Sequence, residues 1–252
     1  LSFNISFKYY TLSENFMILI NDLAKEDHHM HTCTFSDGDN TAEEMIRVAG
    51  EIGLERIAIT DHSKMIIDSY WTNLKRDLSP KLNRDKFKER WQGQQDNGVN
   101  VIIGLEADLV NENGDVCDYN WDPCFKEDWL ILSAHLYGYD GDGSKVMQGY
   151  LKAIQRFGER IKVIGHPYCS RDFSPYTDMK ELAKAANDYG IAGEINGKCF
   201  SNPERLLDFK QLELMLEHFD RIVINSDAHN TRELENGRLK PFQYLKEKGL
   251  VL

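Results

Sequence analysis

Six of the eight histidines in this sequence lie at the carboxyl end of a segment that predicts a buried strand, or within a few residues of it. Imidazole, together with carboxylate oxygen, suits Zn²⁺, Mn²⁺ or Fe²⁺. His29 and His31 form an HxH pair, and both imidazoles would point to the same side because side chains alternate along a strand. Their separation suits one metal ion. The six histidines are His29, His31, His62, His135, His166 and His229.

Acidic residues accompany these histidines at the ends of the same segments. They are Asp37, Asp61, Glu106, Glu194 and Asp227. A single histidine at a strand end is more often a hydrogen-bonded core residue than a ligand, and a buried carboxylate without partners is costly. Many such groups pointing into one space would repel and desolvate one another unless cations lay among them. We therefore expect a metal centre.

Strand-like and helix-like segments alternate from residue 26 onward, which predicts an α/β fold. Seven segments, most of them apolar, predict strands, at residues 27–32, 56–60, 100–106, 129–133, 161–165, 191–195 and 221–225. Several are apolar at successive positions, which is typical of parallel strands covered on both faces. The pattern favours one barrel-like domain, with the active site at the carboxyl ends of the strands. An open doubly wound sheet is the alternative.

The helical segments carry their own start and stop signals. Thr41 predicts an N-cap for a helix that runs to about Ile52 and ends at Gly53. Two further helices are predicted at 178–189 and 203–218, the second with proline in its first turn.

Two parts of the chain fall outside the alternating pattern. Residues 63–98 form a long insertion, predicted to be a loop and then a helix, and such insertions cover the active site in barrels. Residues 1–25 are predicted to be an N-terminal arm packed on a domain of residues 26–252.

Charge and composition exclude several classes of protein. The formal net charge is −11, which speaks against a nucleic-acid surface, although a mononucleotide could still bind. The five cysteines include no CxxC pair, so neither a disulfide framework nor a structural zinc knuckle is expected. The longest apolar run near the start, residues 16–20, is too short to span a membrane and follows no basic segment. We expect a cytoplasmic protein and predict no particular oligomeric state.

The successive motifs resemble those of the PHP superfamily, the polymerase and histidinol phosphatase domains. The resemblance extends over residues 26–245 and implies a distorted (β/α)7 TIM-like barrel with a trinuclear metal centre. The motifs are Asp27-His28-His29-Met30-His31-Thr32, Ser36-Asp37-Gly38, Ile59-Thr60-Asp61-His62, Gly104-Leu105-Glu106, Ser133-Ala134-His135, Gly165-His166-Pro167 and Ser226-Asp227-Ala228-His229.

The resemblance also implies a ligand set for two or three divalent ions, zinc, manganese or iron. It assigns the first ion to His29, His31, Glu106 and Asp227, the second to Asp37, His62 and His229, and the third to Glu106, His135 and His166. Asp37 stands where some relatives have histidine, so the preferred metal of the second site is open. Asp37, His62, Glu106 and His229 are the expected catalytic residues. His28 is expected to point away from the centre.

Other residues are predicted to support the ligands or the substrate. Asp61 and Glu194 are expected to orient imidazoles through their second ring nitrogen. Arg171, Lys198 and Arg232 are candidates for binding the substrate phosphate, and Arg171 is preferred because guanidinium can grip phosphate with two hydrogen bonds.

These features predict a metal-dependent phosphoesterase, in which the metal ions activate water and neutralise phosphoryl charge. The leading prediction is a phosphomonoesterase acting on a small phosphorylated metabolite such as histidinol phosphate. The alternatives are a phosphodiesterase or exonuclease acting on nucleotides or short nucleic acid, and a non-catalytic module stabilised by metal.

Overall fold

The computed structural model describes residues 8–12, 15–22, 25–63, 67, 84–117, 129–169 and 173–250. The strands are β1 (Lys8–Leu12), β2 (Asn15–Leu19), β3 (Glu26–Asp27), β4 (Arg56–Ile59), β5 (Gln95–Asp96), β6 (Val99–Ile103), β7 (Leu105–Asp108), β8 (Leu130–Ser133), β9 (Ile161–Ile164), β10 (Ala192–Asn196) and β11 (Arg221–Asn225). The helices are α1 (Ala42–Glu51), α2 (Arg84–Trp91), α3 (Val146–Phe157), α4 (Met179–Asn187), α5 (Pro203–Leu206), α6 (Phe209–His218), α7 (Thr231–Asn236) and α8 (Leu239–Glu247). Across these ranges no helix has the length and apolar character needed to cross a membrane.

The strands form two sheets that are mostly parallel. The larger sheet has the order β1-β2-β11-β10-β9-β8-β7, and the smaller has the order β3-β4-β6-β5. Only the β1–β2 and β5–β6 pairs are antiparallel among the described strands. The α/β fold with parallel sheets predicted from the sequence is confirmed.

Two isolated parallel bridges join the sheets near the carboxyl ends of their strands. Met30, beyond β3, pairs with Ala228, beyond β11. His62, beyond β4, pairs with Glu106 in β7. We call these places the β3–β11 seam and the β4–β7 seam.

The chain changes sheets at Gly104. The amide of Gly104 donates to Ile59 O in the smaller sheet, and the amide of Leu105 donates to Trp129 O in the larger one. A Cβ at residue 104 would lie 2.3 Å from Trp129 O, so only glycine fits there. The segment 100–106, predicted as one strand, is therefore two strands in different sheets.

The N-terminal segment adds a hairpin to the larger sheet. β2 pairs in parallel with the beginning of β11, and buried Asn21 continues this pairing with its side chain. Its Nδ2 donates to Ile224 O over 2.7 Å, and its Oδ1 accepts from Ile224 N over 3.2 Å. The amide side chain thus replaces a strand residue where the backbone leaves the sheet.

Helix α1 begins as predicted. The Thr41 side chain accepts from Glu44 N, and the Glu44 carboxylate accepts from Thr41 N, so both halves of a capping box are present. Gly53, with φ of +85°, follows the helix in the left-handed region. Asp178 likewise caps α4.

The single helix predicted over 203–218 is wrong, because the structure has α5 and α6 there. Leu207 between them is extended, with φ −98° and ψ 125°, and bridges to Cys169. Asp208 then caps a new helix by accepting from Gln211 N. Of the 63–98 insertion, α2 is helical, and residues 64–66 and 68–83 lie outside the described part.

The interior of the larger sheet is arranged in layers. Four buried aliphatic residues form one cluster, one from each of β8 to β11: Ile131, Val163, Ala192 and Val223. Because every second residue of a strand faces the same side, the next layer toward the carboxyl ends is Ser133, Gly165, Glu194 and Asn225. The interior therefore changes from apolar to polar one layer below the candidate metal ligands.

Candidate metal centre

Glu106 lies at the middle of the predicted ligand set. Its side chain is 1% exposed, and the imidazoles of five histidines lie within 3.6 Å of its carboxylate oxygens. Its Oε2 lies 3.3 Å from Nε2 of both His29 and His31 and 3.0 Å from Nδ1 of His62. Its Oε1 lies 3.2 Å from Nε2 of His166.

The first predicted ligand group also converges. The Nε2 atoms of His29 and His31 are 3.2 Å apart. Asp227 Oδ1 lies 3.6 Å from the first and 3.2 Å from the second. The ligand atoms of His29, His31 and Glu106 lie within 4.8 Å of one another, and Asp227 lies beside both imidazoles outside this group. Imidazole nitrogen and carboxylate oxygen are donors that a divalent cation would satisfy.

The second predicted group surrounds Asp37. Its Oδ2 lies 3.1 Å from His229 Nε2, and its Oδ1 lies 3.8 Å from His62 Nε2. The ligand atoms of these three residues and His31 all lie within 4.8 Å of one another. His31 therefore lies between the first and second groups.

The third group differs in detail from the implied assignment. The ligand atoms that lie within 4.8 Å of one another belong to His62, Glu106 and His135. His135 Nε2 is 3.6 Å from Glu106 Oε1. His166 contacts the same carboxylate oxygen, with its ring 5.1 Å from that of His135. All nine predicted ligands thus belong to one network of contacts.

Two of these residues have unusual backbone conformations. His166 has φ of +30° and Asp227 has φ of +54°. Of the non-glycine residues that the structure describes, only Asn97 shares a positive φ. Strained backbone conformations of this kind are found mainly at functional sites, where contacts with surrounding residues stabilise them.

The charges of the centre are mutually dependent. Burial would raise the pKa of Glu106, but the histidines around it outweigh burial and hold that pKa well below its usual range. Burial lowers the pKa of His31, yet Asp227 and Glu106 raise it to about 9. The buried carboxylates stay ionised because of the histidines, and the buried histidines hold protons because of the carboxylates. Divalent cations would take the place of those protons, so the centre is suited to binding metal.

Glu194 supports His29 from behind. Its Oε1 lies 2.8 Å from His29 Nδ1, and it accepts hydrogen bonds from the amides of Asn196 and Asn225 over 3.1 and 2.8 Å. Asp61 accepts from the amide and hydroxyl of Thr32 over 2.6 and 2.7 Å.

Several polar contacts of the centre were not anticipated. Ser36 Oγ lies 3.2 Å from His31 Nδ1 and donates to Asp37. Ser133 donates to Glu106 over 2.7 Å, and Asp108 contacts His135. Asp108 could have been found from its position two residues beyond Glu106 in one strand, which places both on one face. The same alternation identifies Ser133, two residues before His135, but no such pattern identifies Ser36.

The three predicted phosphate-binding cations have different positions. Lys198 Nζ lies 2.8 Å from His229 Nδ1, at the edge of the centre. Arg232 is exposed on α7. Arg171 lies outside the described residues. His28 packs against Trp129, with ring centroids 4.4 Å apart.

Fold and site together define an α/β protein with a histidine–carboxylate centre at the carboxyl ends of its strands. The family model described as the PHP domain matches residues 27–228. The chain therefore belongs to the PHP domain family, as its motifs predicted.

Two kinds of relative are similar to this chain. It is 26% identical over 238 residues to the DNA polymerase/3'-5' exonuclease PolX of Bacillus subtilis, covering 90% of this chain and 38% of that protein. It is 27% identical over 177 residues to a probable phosphatase of Shewanella baltica, covering 69% of this chain and 62% of that protein. The chain thus spans less than two thirds of either relative.

Among solved structures, the histidinol phosphate phosphatase of Lactococcus lactis, complexed with zinc, L-histidinol and phosphate, has a similar fold. The TM-score is 0.59 at 20% sequence identity, covering 90% of this chain and 95% of that one. The histidinol phosphatase of Listeria monocytogenes, described as putative, gives a TM-score of 0.53 at 16% identity, covering 84% and 98%.

Proposed function

We propose that this chain hydrolyses phosphate esters at a centre of two or three divalent ions, zinc, manganese or iron. The observation that carries the proposal is the convergence of six imidazoles and three carboxylates on one buried space. Relatives named as phosphatases support the same reaction class.

The proposed architecture is a distorted (β/α)7 barrel of residues 26–252, with residues 1–25 as an arm. The strands would run β3, β4, β6 with β7, β8, β9, β10 and β11, and the two seams support closure between the sheets. In such a barrel the carboxyl ends of all strands face one site.

The proposed ligands are the three groups implied by the motifs. His29, His31, Glu106 and Asp227 would hold the first ion, Asp37, His62 and His229 the second, and Glu106, His135 and His166 the third. The short contacts of His31 with the second group and of His62 with the third support a shared, compact centre.

Divalent ions in these positions would supply a water nucleophile at neutral pH and neutralise charge on the phosphoryl oxygens. The chain itself orients the imidazoles, as Glu194 does for His29. Lys198 is the proposed phosphate contact among the described cations, because its ammonium lies beside His229. Arg171, preferred from the sequence, and Arg232 are the other proposed phosphate contacts.

The proposed substrate is a small phosphorylated metabolite such as histidinol phosphate. The fold shared with a phosphatase complexed with L-histidinol and phosphate supports this choice. A phosphodiesterase or exonuclease acting on nucleotides is the second candidate, favoured by the match to PolX over 90% of this chain. A non-catalytic module would be expected to have lost ligands, whereas every ligand position here has a competent side chain.

The test compares two synthetic esters after the protein is stripped and reloaded with Zn²⁺, Mn²⁺ or Fe²⁺. We expect turnover of p-nitrophenyl phosphate and little turnover of bis-p-nitrophenyl phosphate. The opposite preference would favour the diesterase. If neither ester turns over at full metal content, the enzymatic proposal is overturned.

A pair of histidine variants tests the ligand map. His135→Ala should remove one metal ion per chain and most of the activity while leaving the fold intact. His218→Ala, at the end of α6, is the matched control and should keep both. A His135→Ala protein with full metal content would contradict the assignment.

A further inference from the structure

Asp108 is a buried acid next to the centre that the ligand scheme does not use. It occupies the last position of β7, on the same face as Glu106. Its residue exposure is 0%. A carboxylate buried this deeply is costly unless a specific partner retains it.

The partner of Asp108 is His135. Asp108 Oδ1 lies 2.5 Å from His135 Nδ1, so the two side chains are hydrogen-bonded. The second oxygen, Oδ2, has no hydrogen-bond partner among the residues that the structure describes. Among the described residues, the Asp108 carboxylate therefore has the His135 imidazole as its hydrogen-bond partner.

This contact determines which nitrogen of His135 is available. With Nδ1 engaged by Asp108, Nε2 faces Glu106 Oε1 at 3.6 Å. The His135 side chain is 15% exposed, whereas those of His29 and His31 are 0% exposed. Because fewer atoms pack around the His135 ring, its orientation depends more on a hydrogen bond than the orientations of His29 and His31 do.

A second carboxylate in the centre has the same arrangement. Glu194 lies behind His29, 2.8 Å from its Nδ1, and leaves Nε2 directed at Glu106. Asp108, at the end of β7, and His135, two residues beyond the end of β8, repeat this geometry. Carboxylates in this position fix the tautomer and orientation of metal-binding histidines.

We propose that Asp108 is a positioning residue that holds His135 with its proton on Nδ1 and presents Nε2 to the centre. The nature of the species bound by Nε2 rests on the proposed function. The effect of Asp108 on the ring of His135 does not.

The first experiment measures the tautomer of His135 in the metal-free protein. NMR of protein with isotope-labelled histidine, recorded at mildly alkaline pH, distinguishes a protonated Nδ1 from a protonated Nε2. The His135 signals are assigned by their loss in His135→Ala. We expect the Nδ1–H form in the wild type and a mixture of both forms in Asp108→Ala.

The second experiment titrates zinc into the same proteins. Asp108→Ala should weaken one zinc site by about 10- to 100-fold and leave the others unchanged. Glu194→Gln is the matched control, because it should leave the His135 signals unchanged and weaken a different site. Asp108→Leu, which keeps the branched shape and has no hydrogen-bond acceptor, is expected to give the same results and is used if the alanine variant does not fold.

The outcomes separate this proposal from the proposed function. Wild-type His135 signals and wild-type zinc binding in both Asp108 variants would overturn the role of Asp108. A wild-type protein that binds zinc and turns over no ester would contradict the function alone, because the tautomer measurement needs no activity.

Discussion

His28 and His29 are adjacent in the chain and both buried, but different groups surround their rings. Carboxylates of three residues lie within 3.6 Å of the ring nitrogens of His29. The ring of His28 packs against Trp129, and Glu26 Oε2 is 3.9 Å from its Nε2. Neither of its nitrogens has a hydrogen-bond partner within the described ranges. Trp129 precedes β8, at the end of that strand opposite to His135.

The surrounding charges explain the difference between the two histidines. Burial lowers the pKa of His28, and Arg56 and Arg238 lower it further, to about 3. Burial acts in the same direction on His29, but the nearby carboxylates outweigh it and raise its pKa well above the usual value. Burial alone therefore does not identify a ligand, whereas the sign of the neighbouring charge does.

The largest expected effect comes from substituting His29, with a substitution of His28 as the comparison. His29→Ala should lose a metal ion and lower hydrolysis by more than about 100-fold, because it removes a direct ligand rather than a supporting group. His28→Phe should keep the wild-type metal content and activity. Elemental analysis and p-nitrophenyl phosphate turnover measure both, and equal metal loss in the two variants would break the comparison.

The second prediction concerns acid stability. Unfolded His28 takes up a proton near pH 6.5, whereas the folded ring does so only near 3. Between these values the unfolded state binds one more proton, so this residue lowers stability as pH falls, by up to about 1.4 kcal/mol per pH unit. Metal-free His28→Phe should therefore lose stability less steeply than the wild type in denaturant titrations over this range. Equal slopes would contradict the neutral, buried state of His28.

A third prediction tests a buried polar group outside the centre. Asn21→Ala leaves the backbone groups of Ile224 without their side-chain partners and should reduce the free energy of unfolding by about 1–3 kcal/mol. Denaturant unfolding measures the loss, and metal stoichiometry is the control that should not change. A fall in stoichiometry in the folded variant would show that the arm affects the centre.

The smallest expected effect is at the start of α1. Thr41→Ala removes one half of the capping box and should cost about 1 kcal/mol of stability. Activity per folded molecule should stay at the wild-type level. A stability change indistinguishable from zero would mean that water replaces the cap.

Much of the fold and centre could be predicted because the residues able to bind metal lie at the ends of predicted strands. Apolar segments end in histidine or acid, and a strand carries such side chains to a shared edge. The α1 cap was predictable for a similar reason, since Thr41 and Glu44 satisfy backbone groups only a few residues away. Local signals were sufficient in both cases.

The remaining features depend on contacts between distant parts of the chain. Nothing in the apolar run before Gly104 shows that the strand changes sheets, because the close contact that requires glycine is with Trp129 O, just before β8. The break at Leu207 depends on its bridge to Cys169. The positive φ values of His166 and Asp227 likewise come from their surroundings, since neither is glycine.

The two seams between the sheets coincide with the candidate ligands. His29 and His31 flank Met30 at one seam, and His62 and Glu106 pair directly at the other. Each of the three close ligand groups draws residues from both sheets. Cations bound there would join the smaller sheet to the larger one. A chelator would therefore weaken the contact between the sheets at the place where catalysis is proposed.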